Sequence, residues 1–117
     1  MSTETVQTTD TTDQPLVVTA CFHPADGARD RVLAAMERVI PRVHEEAGCN
    51  LYAIQEAEDG TIIMIEHWDS AALLDEHGAG APVADFNAEL EGLLAKPVEV
   101  TRYRPLPVGG RKGMVVA

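Results

Sequence analysis

Two hydrophobic periods alternate along the chain. From Leu16 to Phe22 the run LVVTACF is β-branched and almost continuously apolar, the composition of a buried strand. The segment His23 to Gly27 supplies turn chemistry. From Arg29 the apolar positions Val32, Leu33, Met36, Val39, Ile40 and Val43 recur at helical spacing. Arg29, Asp30, Glu37, Arg38 and Glu45 mark the outer face of this helix, predicted to run to about Ala47 with Gly48 as its left-handed stop. Pro41 lies inside the pattern and removes one backbone donor, which predicts a kink or a loosened turn.

A period of two then takes over. Cys49 to Ala57 reads as a strand with Tyr52 and Ile54 on one face and Leu51 and Ala53 on the other. Glu58-Asp59-Gly60 is a hairpin turn, and Thr61 to Trp68 is the returning strand. Its Ile62, Met64, Glu66 and Trp68 share one face, its Ile63, Ile65 and His67 the other. Asp69 or Ser70 suits a helix N-cap before Ala71 to His77, where Leu73, Leu74 and His77 share a side. Gly78 to Pro82 interrupts that helix. A second piece from Val83 carries Phe86, Leu90, Leu93 and Leu94 and is predicted to end at Lys96-Pro97; Val98 to Tyr103 alternates as a fourth strand.

The order strand, helix, strand, strand, helix, strand is a split βαβ arrangement, an α+β fold with one four-stranded antiparallel sheet and both helices on a single face. Residues 16–106 form this domain. Residues 1–15, rich in Thr, read as a disordered N-terminal tail, and residues 107–117, with their glycines and basic pair, as a C-terminal tail. The third strand begins apolar on both faces, so the side without helices also needs cover. A second subunit is the source the chain leaves for it, and a homodimer built sheet against sheet is expected.

Composition narrows the partners. The chain has 117 residues, enough for one domain, and only five aromatic side chains: Phe22, Tyr52, Trp68, Phe86 and Tyr103. A net charge of −10 repels polyphosphate and anionic lipid, so no nucleic-acid and no membrane partner is expected. No apolar run approaches the roughly 18 residues of a membrane span, and the N-terminus lacks the signal-peptide pattern; a cytoplasmic protein is expected. Cys21 and Cys49 form no C-x-x-C and read as buried, reduced thiols. His23, His44, His67 and His77 have no metal-ligand spacing, and there is no P-loop, nucleophile elbow or dinucleotide fingerprint.

What remains is a group around the end of the third strand. Glu66 stands among Ile62, Met64 and Trp68, where burial raises a carboxyl pKa and calls for a partner. The conventional alternative is an ion pair with Arg102 or Arg104, or a frayed strand end. His77 closes an amphipathic turn, as a base or as a cap on the helix C-terminus. Trp68 is a core residue or a flat wall for an aromatic ligand. Tyr52 and Asn50 carry weaker signals, as a cross-strand packer and a strand-start residue.

The stretch EEAGCNLYAIQEAEDGTIIMIEHWDSAALLDEH, the apolar helix after the break and PVEVTRYRPL together resemble the antibiotic biosynthesis monooxygenase family, in particular its short bacterial members of quinol monooxygenase type. The likeness runs from about Val17 to Pro107 and rests on the Gly-Cys entry to the second strand, Tyr52, the E-x-W of Glu66 to Trp68, His77 and the closing strand. It implies a ferredoxin-like fold that pairs into a dimeric α/β barrel, with a pocket between sheet and helices in each subunit. It also implies oxygenation of a phenolic or hydroquinone ring by molecular oxygen without flavin, metal or other cofactor. Under that resemblance His77 is the base, Glu66 orients it or acts in its place, Trp68, Tyr52 and Asn50 contact the substrate, and Met64 and Phe86 keep the pocket dry. Many relatives carry a second histidine after the helix break; Pro82-Val83-Ala84 has none. Two other functions compete: a non-catalytic dimeric binder of a hydrophobic aromatic metabolite, and haem degradation, which in the resembling branch uses an Asn on the first strand that Val17 to His23 lacks.

Overall fold

The computed structural model describes residues 14–116; the segment read as a disordered tail lies, but for Gln14 and Pro15, outside the described residues. Seven regular elements follow one another: β1 (Leu16–Phe22), α1 (Arg29–His44), β2 (Cys49–Glu56), β3 (Ile62–Trp68), α2 (Ala71–Gly78), α3 (Ala81–Leu90) and β4 (Glu99–Tyr103), with a short 3₁₀ turn at Gly110–Gly113. The strands form one antiparallel sheet in the order β2-β3-β1-β4, the topology of a ferredoxin-like α+β domain. The alternation read from the sequence sets its faces. Leu16, Val18, Ala20 and Phe22 of β1 join Ile62, Met64 and Trp68 of β3 in the core, packed against Val32, Met36, Val39 and Val43 of α1.

Three element boundaries differ from expectation. The first helix ends at His44, and Glu45 to Gly48 form a turn in which the Glu46 N–H donates to the Val43 carbonyl. Pro41 lies within the helix without ending it. The second helix is broken where expected, with its latter part beginning at Ala81 rather than Val83. That part stops at Leu90, short of Lys96-Pro97, because Gly92 takes a left-handed backbone (φ +79°); Leu93 and Leu94 pack on the core from a turn and a bridge to Pro24. Ser70, one of the two expected caps, accepts from the Leu73 N–H at 3.2 Å.

Charged pairs hold the periphery. Arg38 pairs with Glu89 and Arg42 with Asp85, joining the outer edge of α1 to α3, and Arg102 of β4 reaches Asp75 of α2 at 2.7 Å. The last pair removes Arg102 as a partner for Glu66. Among the described residues no helix is long and apolar enough to cross a membrane.

Gly48 is closely packed as well as left-handed. Its φ is +81°, and a Cβ there would stand 2.4 Å from Leu73 Cδ1; Gly60, at φ +92° in the hairpin turn, has open space around it. Gly48→Ala is expected to lower stability by about 2–4 kcal/mol, and Gly60→Ala by about 1 kcal/mol, through backbone strain alone. Urea unfolding of the two variants measures the difference.

Candidate active site

The site grows from the end of β3. The pleat that sends Ile62 and Met64 inward also sends Glu66 and Trp68 there, and both are buried. The Trp68 indole Nε1–H donates to Glu66 Oε1 at 2.9 Å, so the carboxyl finds a partner two residues along its own strand. On the neighbouring strand Tyr52 sits directly opposite Glu66, also buried. The register shifts between Cys49 and Leu51, where Asn50 is the extra residue of a bulge.

Past Trp68 the chain turns through Asp69, whose N–H donates to the Gly48 carbonyl at 2.9 Å, and enters α2. Leu74 and His77, three residues apart, are the buried positions of that helix. The His77 ring lies 4.6 Å from the Trp68 ring at 34° and meets Tyr52 edge-on, 5.5 Å away at 71°. His77 Nδ1 is 2.8 Å from Glu46 Oε1. Glu46 Oε2 is shielded from solvent and has no hydrogen-bond partner.

Sequence reasoning missed Glu46, and the signal for it was present. Val32, Met36, Val39 and Val43 form the buried stripe of α1, and Glu46 is the next position at the same spacing, just beyond the end of the helix. The predicted residues divide. Glu66, Trp68, Tyr52 and His77 come together. Met64 lies next on the same strand face, fully buried in the core. Phe86 packs on Phe22, ring centroids 5.7 Å apart, and Phe22 pairs with Ile62, six residues or about 20 Å along β3 from Trp68. Asn50 is exposed and its amide contacts His67 Nδ1 and Asp69 Oδ1, on the side of the sheet away from the helices.

Burial governs the electrostatics. It raises the Glu66 carboxyl above its ordinary pKa, opposed in part by the Trp68 hydrogen bond and the nearby His77. It also raises the Tyr52 phenol, helped by the negative charges of Glu66 and Glu46. The Cys49 thiol moves up for the same reasons, burial first, which makes it a poor nucleophile. A cleft of about 240 Å³ opens beside the cluster, lined by Glu46, Ala47, Leu73, His77, Gly80 and Pro82 among others.

A ferredoxin-like sheet gathers an imidazole, two carboxyls, a phenol and an indole at one end, beside an open cleft. Comparison with known proteins goes further: residues 15–89 match the profile of antibiotic biosynthesis monooxygenases, and the chain belongs to that family. It is 33% identical over 93 residues to the Mycobacterium tuberculosis protein named "Putative monooxygenase Rv0793", covering 79% of this chain and 92% of that one. The solved structure of Rv0793 superposes with a TM-score of 0.77 at 32% identity, over 82% of this chain and 99% of its own. A crystal structure of an antibiotic biosynthesis monooxygenase shares the fold at 22% identity and a TM-score of 0.73, over 79% and 99% of the two chains. At the level of the family, the function is that of a monooxygenase.

The raised Glu66 pKa carries a stability consequence. A carboxyl that holds its proton more tightly when folded adds stability below its unfolded pKa, and that contribution is lost as pH rises through the folded value. Glu66→Gln keeps an acceptor for the Trp68 N–H without the charge. It is expected to be more stable than the wild type at pH 7, with the difference vanishing near pH 4, as read by urea unfolding at the two pH values.

Proposed function

We propose that the protein oxidises a quinol or other phenolic ring with molecular oxygen, without flavin, metal or other prosthetic group. The observation that carries this reading is the His77 ring, buried against Trp68 and Tyr52 at the edge of an open cleft. A phenol gives up an electron to oxygen only once deprotonated, and His77 is the base that takes the proton. The phenolate then passes one electron to oxygen, the radical pair combines to form a ring C–O bond, and loss of water leaves a quinone. One oxygen atom enters the ring and the other leaves as water. The ring supplies all the electrons, so no external reductant is needed.

Trp68 and Tyr52, expected as substrate contacts, are buried behind His77 and do not line the cleft, so their part is to fix the His77 ring that faces the substrate, with Met64 in the core on the same strand face. Glu66 is a second proton-carrying group in the same cluster. The cleft, at about 240 Å³, is smaller than the roughly 300–1,000 Å³ of drug-sized sites and suits a single ring. An oxygen electrode tests the reading with hydroquinone, methylhydroquinone and 1,4-dihydroxynaphthalene. Oxygen uptake is expected for the wild type, with kcat lowered about 10²–10⁴-fold in a folded His77→Ala variant. A rise in Tm with these compounds and no oxygen uptake would instead indicate a non-catalytic aromatic binder.

The assembly proposed with this function is a homodimer through the sheet face opposite the helices. Cys21, Leu51, Ala53, Ile63 and Ile65 lie on that face, partly exposed within one chain and with no α-helix over them; Val17, on the same face, is already buried in a pocket that it shares with His67, Leu106 and Met114. Light scattering at low micromolar concentration is expected to give twice the chain mass, and Ile65→Lys to give the monomer. A wild-type monomer would sink the assembly.

A further inference from the structure

We propose that Glu46 is the positioning residue of the site, fixing His77 with its proton on Nδ1 and so leaving Nε2 as the basic nitrogen. The proposal rests on the reading of His77 as the base.

An ionised carboxylate can only accept hydrogen bonds, so a 2.8 Å contact with Glu46 requires the hydrogen to be on Nδ1. The other ring nitrogen of a neutral imidazole is then the bare one. The ring plane is set by Trp68 on one side and the Tyr52 edge on another, and the Glu46 hydrogen bond sets rotation within that plane. Glu46 is itself held. Its backbone N–H donates to Val43 and its carbonyl accepts from Cys49, in the turn whose Gly48 is packed under Leu73 of the helix that carries His77. Carboxylate and imidazole are thus anchored to two segments in direct contact. Glu66 does not compete for this role at Nδ1, since Nδ1 faces Glu46 and Glu66 Oε1 takes the Trp68 N–H.

The second oxygen of Glu46 gives the arrangement its chemical sense. Oε2 has no donor of its own and is cut off from water, so His77 is the partner that the carboxylate charge finds. When the substrate hydroxyl passes its proton to Nε2, both ring nitrogens carry hydrogen. The imidazolium that forms faces a carboxylate already in place, with no reorganisation at the moment of transfer. Proton and charge balance within the pair: the phenolate is formed on the substrate, the cation on His77, and the Nδ1 hydrogen stays in its bond to Glu46.

Long-range ¹H–¹⁵N correlation on the ¹⁵N-labelled full chain, at a pH where the imidazole is neutral, reads which nitrogen of His77 is protonated. The expected wild-type form is Nδ1–H. In Glu46→Ala the ring is expected to pass mainly to Nε2–H, with kcat on the quinol down about 10–100-fold and KM within about threefold. Glu46→Gln, nearly isosteric, keeps an acceptor but adds a donor that can pair with a bare Nδ1. It is expected to give a mixture of tautomers and a smaller loss of kcat, and it covers the case in which the Ala variant does not fold. An Nε2–H ring in the wild type overturns the proposal, as does an Nδ1–H ring that persists in Glu46→Ala. So does unchanged kcat in a variant whose tautomer has switched. If the wild type oxidises none of the quinols, the oxygenase reading fails by itself, and the tautomers of wild type and variants still decide the role of Glu46.

Discussion

Glu66 cannot turn to solvent unless Ile62, Met64 and Trp68 turn with it. Side chains on a strand alternate with a period of two, and a slip of one residue would bring Ile63, Ile65 and His67 inward instead. β3 is hydrogen-bonded on both sides, to β1 and to β2, so that slip is closed off. A carboxyl is therefore held beneath the helices by the same pleat that builds the core. Its burial is offset by the Trp68 indole N–H, and this one bond orients the indole on which His77 lies. The polar cluster is a consequence of strand geometry, completed by the helices that close over it.

The two ends of the sheet do different things. At one end Phe22, Ile62 and Phe86 form a purely apolar packing, with Phe86 supplied by α3. At the other, the end of β3, the start of β2, the turn after α1 and the start of α2 converge within a few residues of Gly48. The left-handed backbone of Gly48 makes this possible, because any side chain there would meet Leu73. Elements distant in sequence thereby present Glu46, Tyr52, Glu66, Trp68 and His77 to one volume. The chemistry is concentrated where these connections meet, and the opposite end gives the domain its apolar packing.

How far the residues could be read in advance depended on the range of the interaction. Glu66 and Trp68 were legible because alternation is local; so were the hairpin at Asp59-Gly60 and the cap at Ser70. The end of α3 was not. Leu93 and Leu94 keep helical spacing after the helix has stopped at Leu90, and both still reach the core from a turn. Phe86 was placed with the site on the family resemblance, yet its ring packs on Phe22 far along the sheet. Asn50 stands at the start of its strand, as read, but as the extra residue of a bulge, and its amide contacts His67 on the outer side and not the site.

By itself the sequence determined which residues share a face and which family the chain resembles, since both follow from patterns spanning a few neighbours at a time. Only the tertiary structure decided that the partner of His77 is Glu46. Thirty-one residues separate the two, and no periodicity links the last turn of one helix to the residue just past the end of another. Their meeting depends on how α1 and α2 dock over one end of the sheet, and docking is set by packing across the whole core. Glu46 continues the buried stripe of its helix, so its inward direction was written in the spacing. What it would find there was not.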